Sequence, residues 1–251
     1  MLLKFRFLSR AVAAAMLSIA LLTLSGCLYP DDQTPGGEAS SRESVLAVQD
    51  AVDRFFQQTG VLPIVNADQT VPLYEKYKID LGKLQRADYL GSVPPISFEK
   101  GGRFQFLIID EETKPQVKLL DLVLFQTVGD VQKKVDAYRK AHGDANPAGE
   151  AVYPGFASVD FDKLNSDAPE VRSNYSHQPL DLLVDQAGQV FVDYGIDIAT
   201  AITKSEAPPK ADADLRRYLI DASYYVPVKS AVYHWVKDGP QAVTEHSNEA
   251  Q

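Results

Sequence analysis

The sequence predicts an α+β fold made of two tandem units, each a helix followed by an antiparallel hairpin, with a small C-terminal segment behind them. Two amphipathic helical patterns recur with the same polar residues between their apolar positions. Each pattern is followed by two strand-like runs separated by a turn. Short segments between helix and hairpin also recur in one order, which favours duplication of one unit over a solenoid.

The chain begins with the basic residues Lys4, Arg6 and Arg10, followed by an apolar run over residues 11–24. A charged start and a short apolar run are typical of an export signal peptide. The run is short for a spanning helix, which needs ~20 residues to cross a hydrocarbon core of ~30 Å. It ends in Leu24, Ser25, Gly26 and Cys27, a sequence that resembles the lipobox of bacterial lipoproteins.

The lipobox resemblance implies that the Cys27 thiol receives a diacylglycerol group and that residues 1–26 are removed as a signal peptide. Cys27 is the single cysteine of the chain, so an intrachain disulfide is excluded. Two or more acyl chains anchor a protein stably, and we therefore expect a lipid anchor at the extracytoplasmic face of the cell membrane. The alternatives are an ordinary signal peptide, or an uncleaved anchor with a chance cysteine.

The predicted mature chain is strongly acidic. The full chain has a net charge of −9, and removal of the three basic residues of 1–26 lowers it to −12. A chain of this charge is a poor nucleic-acid binder because phosphate neutralisation needs Lys and Arg. Anionic lipid headgroups should also repel it, so the acyl chains must provide the membrane attachment.

Residues 27–43 are rich in Pro, Gly, Ser and charge, and they predict a flexible tether. Repeat unit 1 follows at 44–125. Its helix is expected to begin after an N-cap at Ser44 and to stop at Gly60. Its hairpin is expected from two apolar runs, at 104–110 and 117–124.

Repeat unit 2 is predicted at 126–204, with a helix that opens at Val128 and stops near Gly143, and a hairpin formed by 180–185 and 189–194. The two units share helix residues and a segment after the helix. The matched pairs are Gln49 with Gln132, Asp53 with Asp136, Asp80 with Asp160, and Lys83 with Lys163. A chance match is the alternative to duplication.

The remaining residues, 205–251, predict a linker and a C-terminal segment. A Pro-rich and Ala-rich stretch comes first, and residues 215–220 could form one or two helical turns. Residues 224–228 and 232–236 alternate like a closing strand or hairpin, and residues 238–251 are expected to be frayed.

Two family resemblances follow from these residues. Each half is similar to the globular head of pseudopilins and type IV pilins, on the order of helix, Gly60-Val61-Leu62-Pro63, Pro turn and hairpin. The whole chain resembles the YphF-like lipoproteins of Bacillus and its relatives, on residues 26–30, 47–49, 60–64, 119–122 and 192–194. Some of those proteins are labelled transporter-associated binding proteins, which implies a solute-binding role as an alternative.

The residues offer little catalytic chemistry, and we expect no enzyme, cofactor or metal site. The sequence lacks a Gly-x-Ser-x-Gly motif, a phosphate loop and a His-Glu-x-x-His motif. The four histidines are dispersed, at positions 142, 177, 234 and 246. Four carboxylate pairs remain as candidates for calcium binding or acid–base catalysis: Asp160 with Asp162, Asp181 with Asp185, Asp193 with Asp197, and Asp212 with Asp214.

The chain also has 12 tyrosines, which could line a groove or fill the edges of a small core. We expect a non-catalytic module that binds an envelope protein or polymer while the lipid holds it at the membrane. The alternatives left open are a solute-binding lipoprotein associated with a transporter, and an extracytoplasmic hydrolase.

Overall fold

A computed structural model describes residues 37–205, 208–210 and 212–244. The chain divides into two compact units, residues 1–40 and residues 41–251. The described part of the first, residues 37–40, is the beginning of a helix. The second consists of helices and antiparallel sheets, which confirms the predicted α+β class.

The elements of the first repeat lie between residues 37 and 121. They are α1 (Gly37–Thr59), α2 (Leu73–Lys76), β1 (Tyr77–Lys78), α3 (Leu81–Arg86), β2 (Phe104–Ile109) and β3 (Gln116–Asp121). The three strands form an antiparallel sheet in the order β1-β2-β3. Ile64 extends it by a bridge to Ile79.

The second repeat also begins with a long helix and ends with an antiparallel hairpin, but two strands lie between them where the first repeat has two short helices and a short strand. Its elements are α4 (Leu122–Ala141), β4 (Ala148–Tyr153), β5 (Phe156–Val159), β6 (Leu182–Asp185) and β7 (Val190–Val192). The strands form an antiparallel sheet in the order β4-β5-β6-β7. The C-terminal elements are α5 (Gly195–Lys204), α6 (Arg216–Ala222) and the hairpin β8 (Val232–Val236) and β9 (Gly239–Val243).

Both faces of the first sheet are buried, since alternate residues belong to two apolar clusters. Phe106 and Ile108 pack with Val48 and Val52 of α1. Their neighbours on the other face, including Leu107, join the larger cluster formed by the second repeat and the C-terminal elements. The period-2 alternation of a strand therefore places the first sheet in the middle of the fold.

A matched set of hydrogen bonds holds each helix to its own hairpin. In the first repeat, Gln49 Nε2 donates to Asp53 Oδ1 (2.9 Å) and to the carbonyl of Pro115 (3.1 Å), while Val117 N donates to Gln49 Oε1 (2.7 Å). We call this arrangement the glutamine clamp.

The second repeat contains the same glutamine clamp. Gln132 Nε2 donates to Asp136 Oδ1 (2.8 Å) and to the carbonyl of Gly188 (2.8 Å), while Val190 N donates to Gln132 Oε1 (2.7 Å). In both clamps the side-chain amide of a helix glutamine bonds to two residues where the second strand of the hairpin begins. It donates to the carbonyl of one residue and accepts from the N–H two residues later. Equivalent hydrogen bonds at corresponding positions are expected of a duplicated unit.

Two further features recur. Gly60 and Gly143 both have positive φ after their helix, at 72° and 62°, which suits glycine at a helix end. Asp80 and Asp160 each accept from the N–H three residues later, at 2.7 and 3.1 Å, and each donates its own N–H to a proline carbonyl at 2.8 Å.

The structure corrects the start of the first helix. Helix α1 begins at Gly37 rather than after Ser44, so residues 37–43, predicted as part of the tether, are helical. Ala39, Arg42 and Glu43 are compatible with a helix. Ser41 is also buried, and its Oγ accepts from the Tyr225 hydroxyl (3.1 Å), so a tertiary contact supports the added helical turns.

The boundary between the repeats is also corrected. Residues 122–124, predicted as the end of a strand, are the first turn of α4, and the helix therefore crosses the predicted limit at 125/126. The cause is Asp121, whose Oδ1 accepts from Val123 N (3.0 Å) and Leu124 N (3.2 Å) and so caps the helix.

Four strands were not predicted: β1, β4, β5 and β9. Strand β4 was missed because its alanines and glycine have low strand propensity. Residues 239–243, expected to be frayed, form β9 and pair with β8 across a tight turn at Lys237 and Asp238. Residues 224–228, predicted as part of a closing strand or hairpin, instead join the first sheet by a bridge between Tyr225 and Leu119.

Candidate functional site

The predicted carboxylate pairs mostly serve local structure. Asp160 forms an ion pair with Lys163 (3.2 Å), Asp185 Oδ1 accepts from Gln189 N (2.8 Å), and Asp214 binds the Arg216 guanidinium (2.7 Å). The pair Asp193 and Asp197 differs because it lies at the start of α5 among tyrosines. Among the described residues, no group of three or more His, Cys, Asp or Glu side chains is placed to hold a metal ion.

Asp193 is the centre of a polar cluster with Tyr153, Tyr233 and Gly195, which we call the Asp193 cluster. Its Oδ1 accepts from the Tyr153 hydroxyl (3.0 Å), the Tyr233 hydroxyl (2.8 Å) and Gly195 N (2.8 Å). Tyr153 also reaches Oδ2 (3.1 Å). A side chain at residue 195 would meet the Tyr153 hydroxyl, since a Cβ there would lie 2.4 Å from it.

The two tyrosines of the Asp193 cluster act as hydrogen-bond donors. Burial raises the pKa of the Tyr153 hydroxyl, and the nearby charge of Asp193 raises it further. The same two causes raise the pKa of Tyr233. Both hydroxyls therefore stay protonated at neutral pH, so the cluster is suited to positioning β4, β8 and α5 rather than to abstracting a proton.

A second tyrosine pair lies beside this cluster. The rings of Tyr175 and Tyr194 make an edge-to-face contact with centroids 5.9 Å apart. The Tyr194 hydroxyl donates to the Val228 carbonyl (3.2 Å), and Tyr194 N donates to the Tyr233 hydroxyl (3.1 Å). Burial raises the pKa of both Tyr175 and Tyr194 well above the ordinary value, and the charge of Asp197 contributes in each case.

Asp197 lies in the first turn of α5 and is buried, with 4% of its surface exposed. Neither carboxylate oxygen has a hydrogen-bond partner among the described residues. Buried polar groups in proteins nearly always have one. The sequence suggested Asp193 and Asp197 as a pair, but the structure gives them different roles. The Asp193 carboxylate accepts several hydrogen bonds, whereas the Asp197 carboxylate has no hydrogen-bond donor among the described residues.

The C-terminal segment closes one edge of both sheets. Leu119 of β3 forms a parallel bridge with Tyr225, and Val192 of β7 forms one with Ser230. In the first sheet, Leu119 N donates to the Tyr224 carbonyl (2.8 Å) and the Leu119 carbonyl accepts from Val226 N (3.0 Å). Leu119 and Val192 each lie two residues after the strand amide held by the glutamine clamp. One continuous segment therefore binds the same position in both repeats.

Lys118 ties α6 to the first sheet. The side chain is buried, and its Nζ donates to the carbonyls of Ile220 and Ser223, both at 2.6 Å. Burial lowers the pKa of Lys118 to about 8, and the charge of Asp221 opposes that shift. An ion pair between Arg217 and Asp110 (2.7 Å) adds a second link between α6 and the turn of the hairpin.

The histidines lie apart. His142 follows the last residue of α4, as expected for a residue near Gly143, and its ring stacks on Tyr138 with centroids 3.9 Å apart. His177 is in the loop before β6 and His234 is in β8, while His246 lies outside the described residues.

Sequence reasoning missed Asp121, which is the most connected buried acid of the first repeat. Besides capping α4, it accepts from Asn174 Nδ2 (3.1 Å) and pairs with Arg103. An Asp directly before an apolar run is an N-cap signal, but the run from Leu119 also suited a strand.

The predicted lipidation residue Cys27 and the lipobox residues Leu24, Ser25 and Gly26 lie outside the described residues. Within the described part of the chain, none of the helices combines the length and the apolar character that a membrane span requires.

Comparison with known proteins finds a family match that covers the first repeat. Searches of curated proteins and of solved structures find no match. A family model described as YphF family N-terminal domain matches residues 41–121, from the buried Ser41 to Asp121 at the end of β3. The first repeat, about a third of the chain, is therefore similar to the N-terminal domain of the YphF family.

Proposed function

We propose that this protein is a YphF-like lipoprotein, anchored through Cys27 at the extracytoplasmic face of the cell membrane, where it acts as a non-catalytic binding module. The lipobox sequence supports the anchor, and the match of residues 41–121 supports the family. The observation that supports a non-catalytic binding role is that buried polar side chains form hydrogen bonds within the protein. Asp193, Asp121 and the buried tyrosines bond to the protein itself, so they stabilise a scaffold.

The outer edge of the second sheet is the surface best suited to a protein partner. Strand β4 is at the end of its sheet, and its residues 149–152 are exposed. An edge strand presents unpaired N–H and C=O groups to which an extended peptide can add. The opposite edge is closed by the C-terminal segment, so strand addition is directed to β4. We assign the partner as an extended segment of another envelope protein.

The resemblance of each repeat to a pilin head belongs to the same proposal. A pilin-like head without the pilin N-terminal helix would retain a hairpin surface for contacts while a lipid replaces the polymerisation segment. The helix-then-hairpin order of both repeats supports this likeness.

A crosslinking experiment tests the binding role. A photo-reactive amino acid at Val152 of β4, which is 44% exposed, is expected to form a specific adduct with an envelope protein in membranes of the native host. The control position is Val123 on α4, which is 53% exposed but is not on a sheet edge. Val152→Lys is expected to reduce recovery of the adduct partner by about tenfold, equivalent to ~1.4 kcal/mol. Equal adducts at both positions, or none at Val152, would contradict the proposal.

A further inference from the structure

Three buried carboxylates lie on segments that contact the Tyr175 and Tyr194 pair. The Tyr194 hydroxyl donates to the Val228 carbonyl, and the next residue, Lys229, pairs with Glu75. Asp121 accepts from Asn174, which precedes Tyr175, and Asp197 lies in the first turn of α5, which Tyr194 precedes. Glu75, Asp121 and Asp197 are 6%, 1% and 4% exposed, and the negative charge of each one raises the pKa of Tyr194. The carboxylates come from α2, the end of β3 and α5. The fold therefore concentrates negative charge in one interior region.

Two of these carboxylates have cationic partners. Lys229 Nζ lies 3.0 Å from Glu75 Oε2, and Arg103 pairs with Asp121. Asp197 has neither a hydrogen-bond partner nor an ion-pair partner among the described residues. Among Asp197 and the described residues in these pairs, three carry a negative charge and two carry a positive one.

Comparison of the two repeats shows that Asp197 stands at a core position. After the first hairpin, Asp121 is the N-cap of α4 and the third helical residue is Leu124, which is buried. After the second hairpin, Tyr194 is the N-cap of α5 and the third helical residue is Asp197. An acid therefore occupies the place that a leucine fills in the equivalent helix.

The helix itself offsets only part of this charge. The first turn of a helix is equivalent to roughly +0.5 elementary charge. A buried carboxylate without a full countercharge is unfavourable, because its hydration is lost without replacement. Departures from a satisfied apolar core tend to mark functional sites.

We propose that Asp197, together with Tyr175 and Tyr194, forms a binding site for one monovalent cation, either an alkali-metal ion or a small protonated amine. One positive charge completes the balance of the three carboxylates. A divalent ion is disfavoured, because the described residues contain no cluster of three or more metal-ligating side chains. The edge-to-face tyrosine pair provides phenol oxygens and ring faces, both of which attract cations. This site is independent of the binding role proposed above.

Thermal unfolding in different chloride salts at equal ionic strength tests the site. The salts are NaCl, KCl and methylammonium chloride, with N-methyl-D-glucamine chloride as a bulky reference cation. For the wild-type chain without its signal peptide, we expect at least one small cation to raise Tm saturably by about 3–6 °C. The most effective salt distinguishes an alkali-metal ion from an amine.

The variants identify the residue. Asp197→Asn and Asp197→Leu are expected to lose the cation-dependent rise, the second because it restores the residue type of the first repeat. Asp162→Asn, which removes an exposed acid, should keep it. An equal rise in the Asp197 variants, or no cation preference in the wild type, would overturn the proposal.

A crystal soaked in RbCl gives a result that does not depend on the folding of any variant. Anomalous signal beside the Asp197 carboxylate would support an alkali-metal site. If methylammonium was the effective cation instead, crystals grown with it should show the amine there. A water molecule alone at that position under the effective salt would overturn the proposal.

Discussion

A chain that ends at Ser205 is expected not to fold. It keeps both repeats and α5 but lacks the segment that bridges Leu119 in one sheet and Val192 in the other. Two sheets then expose unpaired strand edges, and the larger apolar cluster loses its C-terminal members. The buried side chains removed are Leu215, Leu219, Ile220, Val226, Val228, Ala231, Tyr233 and Ala242.

The size of this loss exceeds the stability of an ordinary domain. A fully buried large apolar side chain contributes roughly 1.5–3 kcal/mol. Removal of this group therefore costs roughly 10 kcal/mol or more, against a typical free energy of unfolding of about 5–15 kcal/mol. For the same reason the family-matched segment 41–121 is not expected to be an autonomous domain, because it would expose the face of its sheet that includes Leu107 and Leu120.

Circular dichroism and urea unfolding measure the outcome. The truncated chain should show no cooperative transition. The control is a full-length chain with a protease site inserted between Pro208 and Pro209 and cleaved after folding, which should keep a cooperative transition because its contacts remain. A truncated chain that unfolds cooperatively near the midpoint of the intact chain would disprove the role given to the C-terminal segment.

Replacing the glutamine of either clamp should destabilise the protein by a similar amount. Gln49→Ala removes three hydrogen bonds and Gln132→Ala removes four, the fourth from Gln189 Nε2 (2.9 Å). Each variant leaves a buried strand N–H, of Val117 or Val190, without its acceptor. A buried donor left unsatisfied costs about 1–3 kcal/mol in addition to the lost bonds. We therefore expect about 2–4 kcal/mol for each variant.

Urea unfolding of single and double variants checks this expectation. Gln57→Ala and Gln126→Ala remove exposed glutamines from the same two helices and should change stability by less than about 0.5 kcal/mol. Because one segment joins both sheets, either clamp variant should shift a single transition of the whole protein. Loss of only one of two separate transitions would show that the repeats unfold independently.

The repeated architecture could be predicted because its signals are local. The spacing of Val45, Val48 and Val52 marks one helix face, and the glycines after each helix mark its end. The matched Gln and Asp residues of the helices were visible in the sequence, but their contacts with the strands were not. Those bonds join residues far apart in the chain, and only the packed fold brings them together.

The remaining features depend on tertiary context. Leu122–Leu124 are equally suited to a strand or a helix, and the Asp121 cap decides between them. The same limit applies to the candidate site. Asp193 and Asp197 form one of several acidic pairs in the sequence, whereas their environments differ because Tyr153 and Tyr233 reach only Asp193. A sequence gives no sign that a particular acid will lack a partner.

The central claim is that a lipid on Cys27 holds this acidic scaffold at the membrane. Fractionation of the native host expressing the wild type and Cys27→Ala, with mass spectrometry of the N-terminal peptide, tests it directly. The wild type should be in the membrane fraction with a diacylglyceryl group on residue 27, and the variant should be unlipidated and retain residues 1–26. A variant that remains lipidated at the membrane and is cleaved after residue 26 would contradict the claim.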